Sequence, residues 1–144
     1  MPLITAILDI RTVMLLTITT RVAEPDILVV EIEGRILLGR ECTHVEDTVV
    51  KAIDDGARNI VVDLAGVRQI DSSGLGIITL CFGKMSKAGG RFYLAGAHGV
   101  VLEILKMTHL DSVIPCSPTA EEACARMATE IRPRGAAAGA ETQS

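Results

Sequence analysis

Val61-Val62-Asp63-Leu64-Ala65-Gly66-Val67-Arg68-Gln69-Ile70-Asp71-Ser72-Ser73-Gly74-Leu75-Gly76 is the stretch from which the rest of the chain can be read. It grows out of an apolar, β-branched run, Asn59–Leu64, that continues through Ala65, Gly66 and Val67 and predicts a buried strand. After Ile70 come three consecutive residues with short oxygen-bearing side chains, Asp71, Ser72 and Ser73. Such side chains accept hydrogen bonds from the unpaired N–H groups at a helix start. Behind them Leu75, Ile78, Phe82 and Met85 recur at helical spacing, which predicts a helix over Ser73–Lys87 that ends at Gly89-Gly90. The strand therefore delivers a helix tip to one edge of a sheet. Gly74 and Gly76 lie in the first turn, where each costs about 1 kcal/mol relative to alanine. That cost beside two serines predicts close approach to the backbone, and this turn is the candidate functional site.

Outward from this turn, strands alternate with helices. Leu15–Thr20 predicts a first strand, Glu24-Pro25-Asp26 a turn, and Ile27–Ile32 a buried second strand ending at Glu33-Gly34, the two forming an antiparallel hairpin. Cys42, Val45, Val49, Ala52 and Ile53 place a helix over Glu41–Asp55, with Gly56 as its stop. Beyond the central helix, Arg91–Ala95 predicts a strand, His98–Lys106 a short helix and Ser112–Pro115 a brief strand. Ser117-Pro118-Thr119 opens a last helix running to about Ile131. The order β-β-α-β-α-β-α-β-α predicts an α/β domain with a mixed sheet and helices packed largely on one face. Residues 1–13 are an N-terminal extension, either an arm or an extra strand, and the domain spans residues 14–131. The Ala-, Gly- and polar-rich tail from Arg132 to Ser144 predicts disorder.

Composition narrows the function classes. At 144 residues and 49% hydrophobic, the chain supports one domain with one substantial core. With no Trp, one Tyr and two Phe, it lacks the rings on which nucleic-acid platforms stack bases. A net charge of −4, with no Lys/Arg cluster beyond two adjacent residues, argues against a phosphate-backbone partner. The four cysteines, Cys42, Cys81, Cys116 and Cys124, have no C-x-x-C spacing and read as reduced, buried thiols. Met1–Leu16 is interrupted by Asp9 and Arg11 and is too short for a spanning helix, so the expectation is a cytoplasmic protein without a membrane partner.

The two serines admit three readings. In the first they, or Asp71, only cap the helix, which is worth about 1 kcal/mol. In the second, a serine is a phosphorylation switch: a helix N-terminus tolerates a phosphate, and the added charge of about −1.5 to −2 acts on whatever docks over the turn. In the third, a serine is a nucleophile, but Asp71-Ser72-Ser73-Gly74 is not a G-x-S-x-G elbow, and His44, His98 and His109 are scattered. The histidines and Cys42 show no metal-ligand spacing. Gly74-x-Gly76 lacks the third glycine and the lysine of nucleotide-binding loops.

Val62-Asp63-Leu64, Ile70-Asp71-Ser72-Ser73-Gly74-Leu75-Gly76 and Gly89-Gly90 before Arg91–Ala95 resemble the STAS domain of bacterial anti-sigma-factor antagonists. The likeness extends from about Leu15 to Ile131 and includes Leu105 to Leu110, which resembles the segment before the family's last strand. It implies a regulatory binding protein, not an enzyme, with no cofactor or metal. The partner it implies is an anti-sigma factor that is also a serine kinase, with a serine phosphatase resetting the switch. By the same resemblance Ser72, directly after the motif aspartate, is the phosphorylation site, and the unphosphorylated form binds. Asp71, Ser73, Gly74, Leu75 and Gly76, with Arg35, Leu37 and Arg40, make the partner surface. One departure stands out: Leu37 falls where the family often has an aspartate, so the surface around Arg35, Leu37 and Arg40 differs in charge from the usual docking edge. A second class of function is a STAS subunit of a transporter or signalling scaffold without a phosphate cycle.

Overall fold

The computed structural model describes the backbone of residues 16–143 and the side chains of residues 16–131. The expected N-terminal extension over 1–13 lies outside the described residues, as do the side chains of the tail expected from Arg132. Five strands, β1 (Leu16–Ala23), β2 (Ile27–Ile36), β3 (Asn59–Ile70), β4 (Arg91–Ala95) and β5 (Cys116–Ser117), form one sheet in the order β1-β2-β3-β4-β5. β1 runs antiparallel to β2, and the remaining pairs are parallel. The helices are α1 (Arg40–Asp54), α2 (Ser72–Lys87), α3 (Gly99–Met107), α4 (Leu110–Val113) and α5 (Ala120–Gln143). The mixed α/β sheet anticipated from the sequence is the fold observed.

The central strands are apolar on both sides because both faces are covered. One face carries Val30, Ile32, Val62, Leu64 and Leu94 against Val45 and Val49 of α1, Ile78 and Met85 of α2 and Leu105 of α3. The other carries Ile27, Val29, Val61 and Tyr93 against Ala123 and Met127 of α5. The helices are thus largely on one face, with α5 alone on the other. The α5 start is capped by Thr119, whose Oγ1 accepts from Glu122 N at 3.1 Å.

The last helix, expected to end near Ile131, continues to Gln143. Two further predicted boundaries are corrected, and the first of these bears on the site. β2 does not end at Glu33-Gly34. Gly34, at φ 113°, carries the strand through register shifts to Ile36, which pairs with Ile70 at the end of β3. The glycine marks a bulge rather than a stop. Second, Ser112–Pro115 is not a strand. Leu110–Val113 is a helical turn closed by Ile114 N donating to Leu110 O at 2.8 Å, and strand pairing resumes only at Cys116 and Ser117. Val113-Ile114 reads as strand because Ile114 is a core residue, but its burial is reached from a turn. Gly56 stops α1 as predicted, at φ 105°, with Ala57 N donating to Ala52 O at 2.9 Å.

Candidate functional site at the α2 tip

Because β2 and β3 end side by side, the β3–α2 connection at Asp71 and the β2–α1 loop, Leu37–Gly39, meet at the C-terminal edge of the parallel strands. Asp71 is their junction. In extended conformation it is the N-cap of α2, its Oδ1 accepting from Gly74 N at 2.8 Å. Its Oδ2 accepts from Leu38 N at 3.0 Å, and its own N–H donates to Ile36 O at 3.3 Å. These backbone donors, Leu38 first and Gly74 next, hold the Asp71 carboxyl below the usual aspartate range.

Capping therefore falls to Asp71 and leaves the serines free of that task. Ser72 is exposed, Ser73 is half-buried, and among the described residues neither side chain is engaged in a hydrogen bond or joined to a histidine. His98 instead contacts Ala65 O at 2.9 Å. A cavity of about 490 Å³ lies away from the tip, between the β1–β2 hairpin and the second half of α1, bordered by Val22, Leu28, Lys51 and Arg58. Ser72 thus stands on an open surface. The cysteines are unpaired thiols; Cys42, whose N–H donates to Leu37 O at 3.3 Å, and Cys81 are buried, Cys116 and Cys124 only partly so, and burial pushes the Cys81 thiol up to about 12.

The two glycines of the first turn have different reasons. Gly74 is buried, and a Cβ there would strike Ile36 O and approach Ile70 Cγ1 to 2.7 Å. The close approach inferred from the sequence is here internal, the helix tip against the ends of β2 and β3. Gly76 is exposed, and a Cβ there would meet nothing within 4 Å. Leu75 is half-buried and packs on the core. Of the predicted edge residues, Arg35 and Arg40 are exposed and Leu37 half-buried, and the loop contact from Leu38 to Asp71 brings their segment to the tip. Sequence reasoning missed Leu38. It is 75% exposed, an unusual state for leucine, and its backbone is held by Asp71. The signal was the apolar pair Leu37-Leu38 directly before Gly39, in a loop.

Removing the Asp71 carboxylate should cost about 1–2 kcal/mol in Asp71→Ala, the range of a lost N-cap. The sign with pH follows from the lowered folded pKa. Its contribution is complete above the ordinary aspartate value of about 4 and is lost as the pH falls through that value towards the lower folded one. Urea titrations at pH 7 and pH 3 check this: the gap between wild type and Asp71→Asn should narrow in acid, and a constant gap would remove Asp71 from the acid-sensitive set.

Residues 19–123 match the STAS domain family. An anti-sigma factor antagonist from Mycobacterium paratuberculosis superposes with a TM-score of 0.67 at 22% identity, covering 77% of this chain and 92% of that one. The anti-sigma factor antagonist SpoIIAA of Bacillus gives 0.66 at 20% in its unphosphorylated form, over 77% of this chain and 96% of that one. Its phosphorylated form gives 0.62 at 19%, over 77% and 99%. A sulfate transporter family protein from Wolinella succinogenes gives 0.63 at 16%, over 78% and 93%. At these identities the likeness is one of fold. The family match spans most of the chain and includes every strand but part of β1, the α2 tip and the Leu37–Gly39 loop, and on that ground the chain belongs to the STAS domain family.

Proposed function

We propose that this protein is an anti-sigma factor antagonist whose α2 tip binds an anti-sigma factor with serine kinase activity and is released when Ser72 is phosphorylated. The observation that carries the reading is an exposed, unbonded Ser72 hydroxyl beside a helix end already capped by Asp71. A kinase needs an accessible hydroxyl, and capping by Asp71 means that modifying Ser72 removes no hydrogen bond of the described fold. The phosphate adds about −1.5 to −2 charge. Ser72 is exposed, so the new charge lies where a partner would dock. The protein works as a regulatory binding protein in the cytoplasm rather than as an enzyme, and a serine phosphatase restores the binding form.

Incubation with a cognate anti-sigma kinase and ATP, followed by peptide mapping, tests the reading. Modification at Ser72 is expected; modification only elsewhere, or none, counts against it. The transporter-related fold neighbour supports a second reading, a STAS interaction subunit with no phosphate cycle. A stable complex that tolerates Ser72→Asp would favour that one.

Gly76→Ala separates stability from docking. The methyl has room, so the helix should gain up to about 1 kcal/mol from the better helix former. Partner affinity should fall if the partner backbone sits against this bare turn. Calorimetric melting with binding titration on the same variant reads both, and a gain in stability with unchanged affinity would place the contact elsewhere on the tip.

A further inference from the structure

We propose that Asp71 is a positioning residue for the docking surface: its carboxylate sets the exposed Leu38 beside the α2 tip, and negative charge at Ser72 is transmitted to Leu38 through it. The proposal deepens the partner-switching reading and rests on it for its biological use, though not for its geometry.

A single carboxylate accepts from two separate elements, Gly74 N in α2 and Leu38 N in the β2–α1 loop, at 2.8 and 3.0 Å. The loop is three residues long, Leu37–Gly39, and its remaining backbone ties lead into α1, Cys42 N to Leu37 O at 3.3 Å and Thr43 N to Gly39 O at 3.1 Å. The Leu38 N–H is therefore the contact that joins this loop to the helix tip. Leu38 itself is 75% exposed. A large apolar side chain in water on a fixed backbone is suited to anchor an interface, because part of the ordering cost of binding is already met before the partner arrives. The partner chemistry that fits is an apolar socket for Leu38 flanked by hydrogen-bond donors for Asp71 and the Ser72 hydroxyl.

Charge at Ser72 reaches this arrangement in two ways. A phosphate or carboxylate on the residue next to Asp71 repels its carboxylate, and it offers competing oxygens to the same N–H groups. Both effects weaken the grip on Leu38 N–H. Phosphorylation then acts twice, by placing an anion under the partner and by loosening the apolar anchor next to it.

Amide hydrogen exchange at Leu38, followed by NMR on the full chain, tests this without a kinase. The variants are Ser72→Asp, its neutral isostere Ser72→Asn, Asp71→Asn and the double variant Asp71→Asn/Ser72→Asp, with the Ile78 amide in the middle of α2 as reference. Leu38 should exchange about tenfold faster in Asp71→Asn, several-fold faster in Ser72→Asp than in Ser72→Asn, and no faster in the double variant than in Asp71→Asn. Equal Leu38 exchange in Ser72→Asp and Ser72→Asn overturns the coupling, as does a Ser72→Asp effect that persists undiminished without the Asp71 carboxylate. Should Asp71→Asn not fold, the Ser72 pair decides alone. Failure of a kinase to modify Ser72 would sink the partner-switching reading and leave this result standing, so the two can be told apart.

Discussion

Gly74→Val should destabilise the domain by about 3 kcal/mol or more, at the upper end of what overpacking a close-packed site costs. A Cβ at this position would already collide with Ile36 O, lie 2.7 Å from Ile70 Cγ1 and 3.0 Å from Ile36 Cγ2. None of these atoms can give way cheaply. Ile36 is fully buried, Ile70 nearly so, and Ile36 O is the acceptor for Asp71 N–H. Valine adds two further methyl groups and a restricted χ1 to a site that cannot take the first carbon. Relief would require α2 to lift from the ends of β2 and β3, which would pull Asp71 off Ile36 and reopen the junction. The urea midpoint of Gly74→Val against wild type measures this, with Gly74→Ala as an intermediate and Gly76→Ala as a control of opposite sign. A Gly74→Val midpoint indistinguishable from wild type would mean that the tip does not pack as closely on Ile36 as described. Impaired partner binding in Gly74→Val would follow from the displaced tip and says nothing about direct contact, because Gly74 is buried.

The contrast between the two glycines marks where the sequence was legible. Two expensive glycines in one helical turn announce a constraint, but the chain alone cannot say whether the neighbour is another protein or the ends of two strands. That depends on the register of β2, and the register was hidden by Gly34. A glycine after an apolar run reads as a stop, whereas here it is a bulge that carries the strand on to Ile36. Once β2 reaches Ile36, Gly74 becomes a packing residue and Asp71 finds Leu38. The fold itself was readable because Ile27–Ile32 and Asn59–Leu64 are apolar enough to be buried on both sides, and because Cys42, Val45 and Val49 keep strict helical spacing. The turn was readable because three capping residues in a row contain more oxygen than one helix start can use; Ser72 was singled out only by the family resemblance. Which of the three does the capping is set by the extended backbone at Asp71, a property no spacing rule reports.

That division of labour governs the effect of charge on Ser72. Ser72→Asp should leave the melting temperature within a few degrees of wild type, since Ser72 is exposed and makes no described hydrogen bond. Its affinity for the proposed anti-sigma kinase partner should fall at least about tenfold, a penalty of about 1.4 kcal/mol, and phosphorylation of Ser72 should lower it further. The order follows from charge: one carboxylate carries about −1, a phosphate about −1.5 to −2, and a partner covering either must desolvate it next to the Asp71 anion. A screened surface repulsion alone would fade with salt, so titrations at about 0.05 and 0.5 M salt distinguish it from desolvation under a docked partner. Desolvation predicts a loss that survives high salt. A loss that disappears there would mean that Ser72 lies at the rim of the interface, and unaltered affinity at both salts would remove the serine from it altogether.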